Sequence, residues 1–220
     1  MKAIAINGSP RKDWNTAKLL LSALSGAASV GAEGKLIHLY DLSFRGCISC
    51  FSCMKADGSG MWRCAQKDDL HPVLSDIMES DVLFVGSPIY CGNVTGETRC
   101  FLERLAFMNI SYDGEAGPKN DNKTASAIFY TMNVREDQAK ADDFNYVPMF
   151  EQNLSLLCLG GEKEYYPCYN TWQFSDYSKY MHKKFDVEDK RKWREEHFST
   201  DIKRAYEIGA KLARVGRAHA

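Results

Sequence analysis

Short apolar runs and longer amphipathic stretches alternate along the whole chain. The third run, DVLFVGSP, is too uniformly apolar for a half-exposed strand and is typical of a strand covered on both faces. We predict five β-strands, at residues 2–6, 35–40, 81–88, 124–132 and 163–170. Pro167 lies in the last run and cannot donate a ladder hydrogen bond, which puts that strand at or near a sheet edge.

The stretches between these strands have helical spacing of their apolar residues. Asp68 and Thr95 are the predicted N-caps of the second and third helices. The helices are predicted from Ala17 onward, over 69–78, over 95–107, through much of 136–159 and over 188–215. Strands separated by helices pair in parallel, because a parallel crossover needs about a dozen residues. We therefore predict one doubly wound α/β domain over residues 1–220, with helices on both faces and ligands at the carboxyl ends of its strands.

Charge and hydropathy exclude several classes of partner. The 28 basic and 29 acidic side chains create no field that would attract nucleic acid or an anionic membrane. No apolar stretch approaches the roughly 20 residues that span a bilayer. The opening run, MKAIAING, is too short for a signal peptide. We expect a cytoplasmic protein without a nucleic-acid or membrane partner.

The junction between the first strand and the first helix carries the residues of an anion site. In GSPRKDWNTAKLL, Ser9 and Thr16 offer hydroxyls, Asn15 an amide and Arg11 a charge, beside the free N–H groups of a helix start. The junction has neither G-x-G-x-x-G nor G-x-x-x-x-G-K-[ST], so a single terminal phosphate suits it better than a pyrophosphate. The alternative is that these residues only form a turn and a cap.

A second loop follows the third strand, in GSPIYCGNVTGETRCFLERL at residues 86–105. Pro88 stiffens the exit from the strand, Gly92 permits close approach of a flat ligand, and Tyr90 offers an aromatic face. Asn93 and the exposed backbone N–H groups offer hydrogen bonds. The loop therefore has the composition of a site for a planar, polar-edged ring.

The two loops together resemble those of the NADPH-dependent FMN reductase family, and within it the iron–sulfur flavoprotein branch. The resemblance covers about the first 105 residues well. It implies a flavodoxin-like fold whose five parallel strands have the order 2-1-3-4-5. It also implies that FMN binds through its phosphate to Ser9, Arg11, Asn15, Thr16 and Ala17. The flavin ring would be lined by Pro88, Ile89, Tyr90, Gly92 and Asn93, with the turn at 131–133 as a further candidate.

Four of the eight cysteines lie in a long excursion at 41–67. Two successive C-x2-C steps resemble a bacterial ferredoxin run and favour an iron–sulfur cluster over zinc. The candidate ligands are Cys47, Cys50, Cys53 and Cys64. The ten residues between the last two are more than the branch usually has. A [4Fe–4S] cluster, reduced thiols and zinc all stay open as interpretations.

The segment at 170–186 is rich in aromatic residues. A compact monomer rarely exposes that much aromatic surface to solvent. The segment either meets a second subunit or folds back over its own sheet. In similar flavin reductases the flavin lies near a subunit interface, which favours a homodimer or higher oligomer.

No serine elbow and no histidine grouping offers a nucleophile or an acid–base pair, so we expect no catalytic side chain and chemistry at the flavin itself. The leading hypothesis is an FMN-dependent oxidoreductase that passes electrons from NAD(P)H through bound FMN to a small acceptor such as free flavin or a quinone. The alternative is an iron–sulfur flavoprotein that carries electrons between a ferredoxin-like donor and FMN. A third hypothesis is a zinc-stapled interaction domain.

Overall fold

The computed structural model describes residues 1–112, 123–141 and 145–217. Five parallel strands form its central sheet, in the order β2-β1-β3-β5-β6. Ile6 of β1 lies opposite Ile37 of β2 on one side and Val85 of β3 on the other. The strands are β1 (Lys2–Asn7), β2 (Glu33–His38), β3 (Val82–Tyr90), β5 (Ala125–Thr131) and β6 (Lys163–Cys168), with the two-residue β4 (Asn93–Val94) antiparallel to the end of β3.

The predicted fold class and the order of the five parallel strands are therefore confirmed. The strand that contains Pro167 lies at the edge of the sheet, as its missing N–H requires. The short β4 was not predicted. Because β4 pairs with Ile89 and Tyr90, β3 continues two residues beyond the end of its predicted apolar run.

Helices cover both faces of the sheet. They are α1 (Asn15–Ala28), α2 (Leu70–Met78), α3 (Gly96–Asn109), α4 (Glu136–Ala139), α5 (Val147–Ser155) and α6 (Val187–Arg217). Ala3 and Ala5 of β1 point into the core shared with α1 and α6. Ile4 and Ile6, which alternate with them, point into the core shared with α2, α3 and α5. This period of two is what a strand covered on both faces requires.

Three expectations about the helices and loops need correction or fall outside the described residues. The stretch 136–159 is not one helix but contains α4 and α5, and residues 142–144 between them lie outside the described part. Asp68 does not cap α2; Asp69 holds the N-cap position, without a side-chain hydrogen bond. Asp68 instead forms an ion pair with Arg104. Of the loop expected at 109–123, residues 113–122 lie outside the description.

Among the described residues, no helix combines the length and the apolar character that a transmembrane span requires.

Candidate functional site

The carboxyl ends of β1, β3, β5 and β6 surround one open pocket with a volume of about 100 Å³. Seven of the ten residues predicted to bind FMN line it: Ser9, Arg11, Asn15, Thr16, Pro88, Ile89 and Tyr90. The turn at 131–133 lines it as well. Four further lining residues were not predicted as site residues: Trp14, Thr171, Trp172 and Gln173. The structure thus brings the two predicted loops together at one place.

The start of α1 forms one end of this pocket. Trp14 holds its N-cap position and caps no N–H group with its side chain, and the first turn contains no acidic residue. In α3, by contrast, the hydroxyl of Thr95 accepts a hydrogen bond from Thr98 N, which confirms Thr95 as its cap. The first backbone N–H groups of α1 and the positive end of its dipole are therefore left for an anion.

Local hydrogen bonds fix the loop that precedes α1. Asn7 Oδ1 accepts from Ser9 N at 3.0 Å, and Ser9 Oγ accepts from Arg11 N at 3.1 Å. Gly8 is required here, because a Cβ atom would lie 1.8 Å from Thr98 Oγ1. The loop is thus held close against α3, with Thr95 donating to Gly8 O at 2.8 Å.

The polar side chains of this loop bind the segment that follows β6. Trp14 Nε1 and Asn15 Nδ2 donate to Trp172 O at 3.0 and 2.7 Å, and Arg11 donates to Gln173 O. Asn15 Oδ1 accepts from Arg194 at 2.9 Å. The amide of Asn15 is therefore engaged within the protein, and its backbone N–H is the group left for a ligand. Residues 170–173, the start of the aromatic segment, fold back over the sheet as a wall of the pocket.

The second loop is a β-hairpin. Its two-residue turn has positive φ at Cys91 (49°) and Gly92 (83°), which is the geometry of a type I′ turn. Tyr90 is 46% exposed at the pocket mouth. Gly92 and Asn93 do not line the pocket, and Asn93 Oδ1 accepts from Val94 N and Asn153 Nδ2. Ala17, the remaining predicted residue, is fully buried behind the helix start.

Two polar atoms of the pocket walls have no hydrogen-bond partner among the residues that the structure describes. Asn133 Oδ1 and Gln173 Oε1 are buried without a hydrogen bond. A buried acceptor left unpaired costs about 1–3 kcal/mol, so both favour a ligand that carries N–H or O–H donors. Gln173 could not be found from local motifs, because it follows the last strand and reaches the pocket only through the sheet topology.

The four predicted cysteine ligands meet in a second, smaller site. Cys47, Cys50, Cys53 and Cys64 line one cavity with room for about one water, 20 Å³. Ser49 N donates to Cys47 Sγ at 3.4 Å, from a backbone with φ of 51°. Within the described ranges, no three His, Cys, Asp or Glu side chains are grouped as ligands of a single metal ion.

The environments of these thiols differ. Hydrogen bonds from Ser52 lower the pKa of the exposed Cys50 thiol. Burial raises the pKa of Cys53, and the neighbouring thiols raise it further. Arg104 of α3 also lines the cavity and interacts with Cys64. Its Nε is buried without a hydrogen-bond partner. The charge of Arg104 at this corner of the cavity is paired with Asp68.

Solved structures with the same architecture include a quinone oxidoreductase and a flavodoxin. An NAD(P)H:quinone oxidoreductase from Methanothermobacter marburgensis superposes with a TM-score of 0.64 at 13% identity, over 96% of this chain and 98% of its own. A flavodoxin from the domain Archaea gives a TM-score of 0.51 at 14% identity, over 99% of both chains. At such identities the likeness shows the fold alone.

Curated relatives share more sequence over a shorter span. An iron–sulfur flavoprotein of Archaeoglobus fulgidus is 40% identical over 104 residues, which is 47% of this chain and 48% of its own length. One from Methanosarcina thermophila is 28% identical over 108 residues, 49% and 54% of the two chains. The chain thus matches about half the length of these relatives.

The model of a family described as NADPH-dependent FMN reductase matches residues 1–144. That match includes the start of α1, the hairpin that ends β3 and four of the five parallel strands. The chain therefore belongs to the NADPH-dependent FMN reductase family.

Proposed function

We propose that this protein is an FMN-dependent oxidoreductase that takes electrons from a reduced nicotinamide and passes them to a small acceptor, such as free flavin or a quinone. The observation that carries the proposal is the uncapped start of α1, which opens into the pocket formed by the two family loops. FMN would supply the hydride-accepting centre, and the protein's own residues would bind it and adjust its electrostatics.

The pocket residues fit FMN in their chemistry. The backbone N–H groups at 15–17, with Ser9 and Arg11, would hold the phosphate. Pro88 and Tyr90 would contact the ring. The unpaired oxygens of Asn133 and Gln173 would accept hydrogen bonds from its N–H and O–H groups. No side chain of the pocket is required as a nucleophile, because these groups only bind, orient and stabilise charge.

A binding experiment tests the phosphate assignment. Purified protein freed of flavin is titrated with FMN and with riboflavin, which lacks the phosphate. We expect FMN to bind at least about a hundredfold more tightly, because charge-assisted hydrogen bonds contribute about 1.5–3 kcal/mol each. Arg11→Met should lower the affinity for FMN about tenfold and leave the affinity for riboflavin unchanged. Lys12→Met is the matched control, since Lys12 is ion-paired with Asp41 at 2.6 Å and does not line the pocket. Equal affinity for the two flavins would contradict the proposal.

The electron donor is tested on the FMN-loaded protein without oxygen. Loss of the yellow flavin absorbance on addition of NADPH or NADH, and its return with a quinone or free flavin, is the expected result. A loaded protein that neither nicotinamide reduces would refute the reductase function.

The cysteine cavity favours a second candidate function, that of an iron–sulfur flavoprotein that exchanges electrons with a ferredoxin-like partner. The four cysteines line one cavity, and an iron–sulfur cluster is held by four cysteine thiolates of this kind. Cys47, Cys50, Cys53 and Cys64 would be the ligands. A cubane cluster is larger than the cavity, so the loop would move outward to hold it.

Metal analysis separates these candidates. Protein purified without oxygen should contain about four irons per chain if it holds a [4Fe–4S] cluster, and Cys50→Ser should remove them. Reduction by a ferredoxin system but not by NADPH would favour the electron carrier over the reductase. One zinc per chain without bound flavin would favour the interaction-domain hypothesis instead.

A further inference from the structure

Lys190 is a buried cation beneath the wall of the flavin pocket. It lies in the first turn of α6, outside the residues that the family model matches, and is only 2% exposed. Its Nζ donates to Asn133 O at 2.9 Å and to Asn170 Oδ1 at 2.7 Å. One ammonium group therefore joins the loop after β5 to the loop after β6.

Both of these loops line the pocket. Asn133 contributes to the lining and carries one of the unpaired oxygens. Asn170 has a φ of 46°, which side chains with a Cβ atom rarely adopt. Its N–H donates to Val134 O at 2.8 Å, and Thr171 N donates to Met132 O at 2.8 Å. The bonds from Lys190 complete this link between the two loops.

The charges around Lys190 are engaged elsewhere. Asp189 accepts from Arg135 at 2.9 Å through both oxygens and from Asn170 Nδ2 at 3.2 Å. Asp186 accepts from the backbone N–H groups of residues 188 and 189. Among the described residues no carboxylate lies within ion-pair distance of Lys190 Nζ. The side-chain hydrogen bonds of the ammonium group therefore go to the carbonyl oxygen of Asn133 and to Oδ1 of Asn170. The centroid of the Phe185 ring lies 5.5 Å from Nζ.

We propose that Lys190 is a positioning residue of the flavin site, whose ammonium holds the loops of Asn133 and Asn170 in the arrangement that presents the far wall of the pocket to FMN. The inference rests on the proposed FMN-binding function. Lys190 acts through the backbone of Asn133 and the side chain of Asn170, and it does not line the pocket itself.

The geometry implies a pH dependence of flavin binding. Burial lowers the pKa of Lys190 to about 8, against the opposing effect of Asp189. Below that pH the ammonium donates charge-assisted bonds. Above it the neutral amine can still donate two bonds, but these are about half as strong. The affinity for FMN should therefore be highest below about pH 8 and fall as the pH rises through it, by about fivefold between pH 7 and 9.

Three variants of the full chain test this proposal, with FMN affinity measured by quenching of flavin fluorescence at pH 7 and pH 9. Lys190→Met should lower the affinity for FMN about tenfold at pH 7, and the affinity of this variant should no longer depend on pH. Lys190→Arg keeps its charge at both pH values, so its affinity should be equal at pH 7 and 9. Lys192→Met is the matched control on the exposed side of α6 and should behave as the wild type.

The outcomes distinguish the role of Lys190 from the proposed FMN-binding function. Wild-type protein that binds FMN equally at pH 7 and 9, or Lys190→Met protein that binds it as tightly as the wild type, would overturn the role of Lys190 and leave the proposed function standing. If Lys190→Met fails to fold by circular dichroism, the wild-type and Lys190→Arg profiles still decide. Wild-type protein that binds no FMN at either pH would remove the proposed function and the role of Lys190 with it.

Discussion

Arg104 carries a positive charge in the protein interior, where its side chain is 0% exposed. Asp68 Oδ2 accepts from it at 2.5 Å, and the carbonyls of Arg45 and Gln66 accept at 3.3 and 3.2 Å. These partners all belong to the cysteine-bearing excursion or its end. Arg104 therefore fastens that excursion to α3.

Replacing Arg104 should destabilise the protein far more than replacing an exposed arginine of the same helix. Arg104→Met leaves Asp68 and two carbonyls without their donor and should lower the free energy of unfolding by about 3 kcal/mol. Arg99→Met is the control, because Arg99 pairs with Glu103 at the surface, 40% exposed, and should change it by less than about 0.5 kcal/mol. Urea unfolding of the two variants measures the difference. Similar values for both would contradict the anchoring role.

Residue types predicted the chemistry of the site better than the partners of its side chains. Ser9 and Thr16 were expected as hydroxyl donors at a helix start, and both line the pocket there. Asn15 was expected to offer its amide to phosphate, yet that amide binds Trp172 O. A partner 157 residues away along the chain has no local signature, so this bond could be found only from the folded structure.

At the level of elements, α1 and α6 pack unusually closely through two glycines. A Cβ atom on Gly26 would lie 2.0 Å from Tyr206 O, and one on Gly209 would lie 2.0 Å from Ala23 O. Such contacts permit no side chain on either helix at the crossing point. Since the start of α1 lines the pocket and α6 carries Lys190 behind its wall, this crossing fixes the position of the two helices relative to each other.

Gly209→Ala should therefore force the two helices apart. The helix propensity of alanine favours the change by about 1 kcal/mol. Overpacking against backbone should outweigh that gain and lower the free energy of unfolding by about 2 kcal/mol in total. Gly96→Ala is the control, because nothing lies within 4 Å of its added Cβ atom, and it should leave stability equal or slightly raised. Thermal unfolding that ranks Gly209→Ala as the more stable variant would disprove the close-contact argument.

The elements that could be predicted are those whose formation depends on residues nearby in the sequence. The five parallel strands could be predicted because each contains a short apolar run between helical stretches, and α3 because Thr95 caps it. The two-residue β4 has no apolar period of its own and forms because Cys91 and Gly92 take positive φ. The wall at 170–173 could not be placed beside the phosphate loop, because its position depends on the order of the strands. The break between α4 and α5 had no clear periodic signal either.

At the scale of the whole molecule, the end of the aromatic segment protrudes from the fold. Met181 is fully exposed and Tyr180 is 52% exposed, although Tyr180 stacks on Phe174 with the ring centroids 4.3 Å apart. The start of the same segment folds back over its own sheet. Residues 170–173 therefore follow the fold-back interpretation, whereas residues 180–181 present apolar surface to solvent and contact with a second subunit stays a prediction.

We propose that this apolar surface contacts a second copy of the chain. Light scattering during size exclusion should give a molar mass about twice that of one chain. Met181→Glu should shift the protein toward the mass of a single chain, because a buried unpaired carboxylate opposes association. Lys179→Glu serves as the control for added negative charge, since Lys179 is largely exposed beside Asp176. A wild-type protein with the mass of one chain would argue against the dimer.

The wall at 170–173 has a consequence for how proteins of this architecture can diverge. The phosphate loop and the hairpin lie within the part of the chain that the family model describes, whereas this wall and the lysine beneath it come from beyond it. Exchange of this one stretch could change which molecules reach the ring without disturbing how the mononucleotide is anchored. Specialisation for a new electron acceptor would then require remodelling of a single carboxyl-terminal segment.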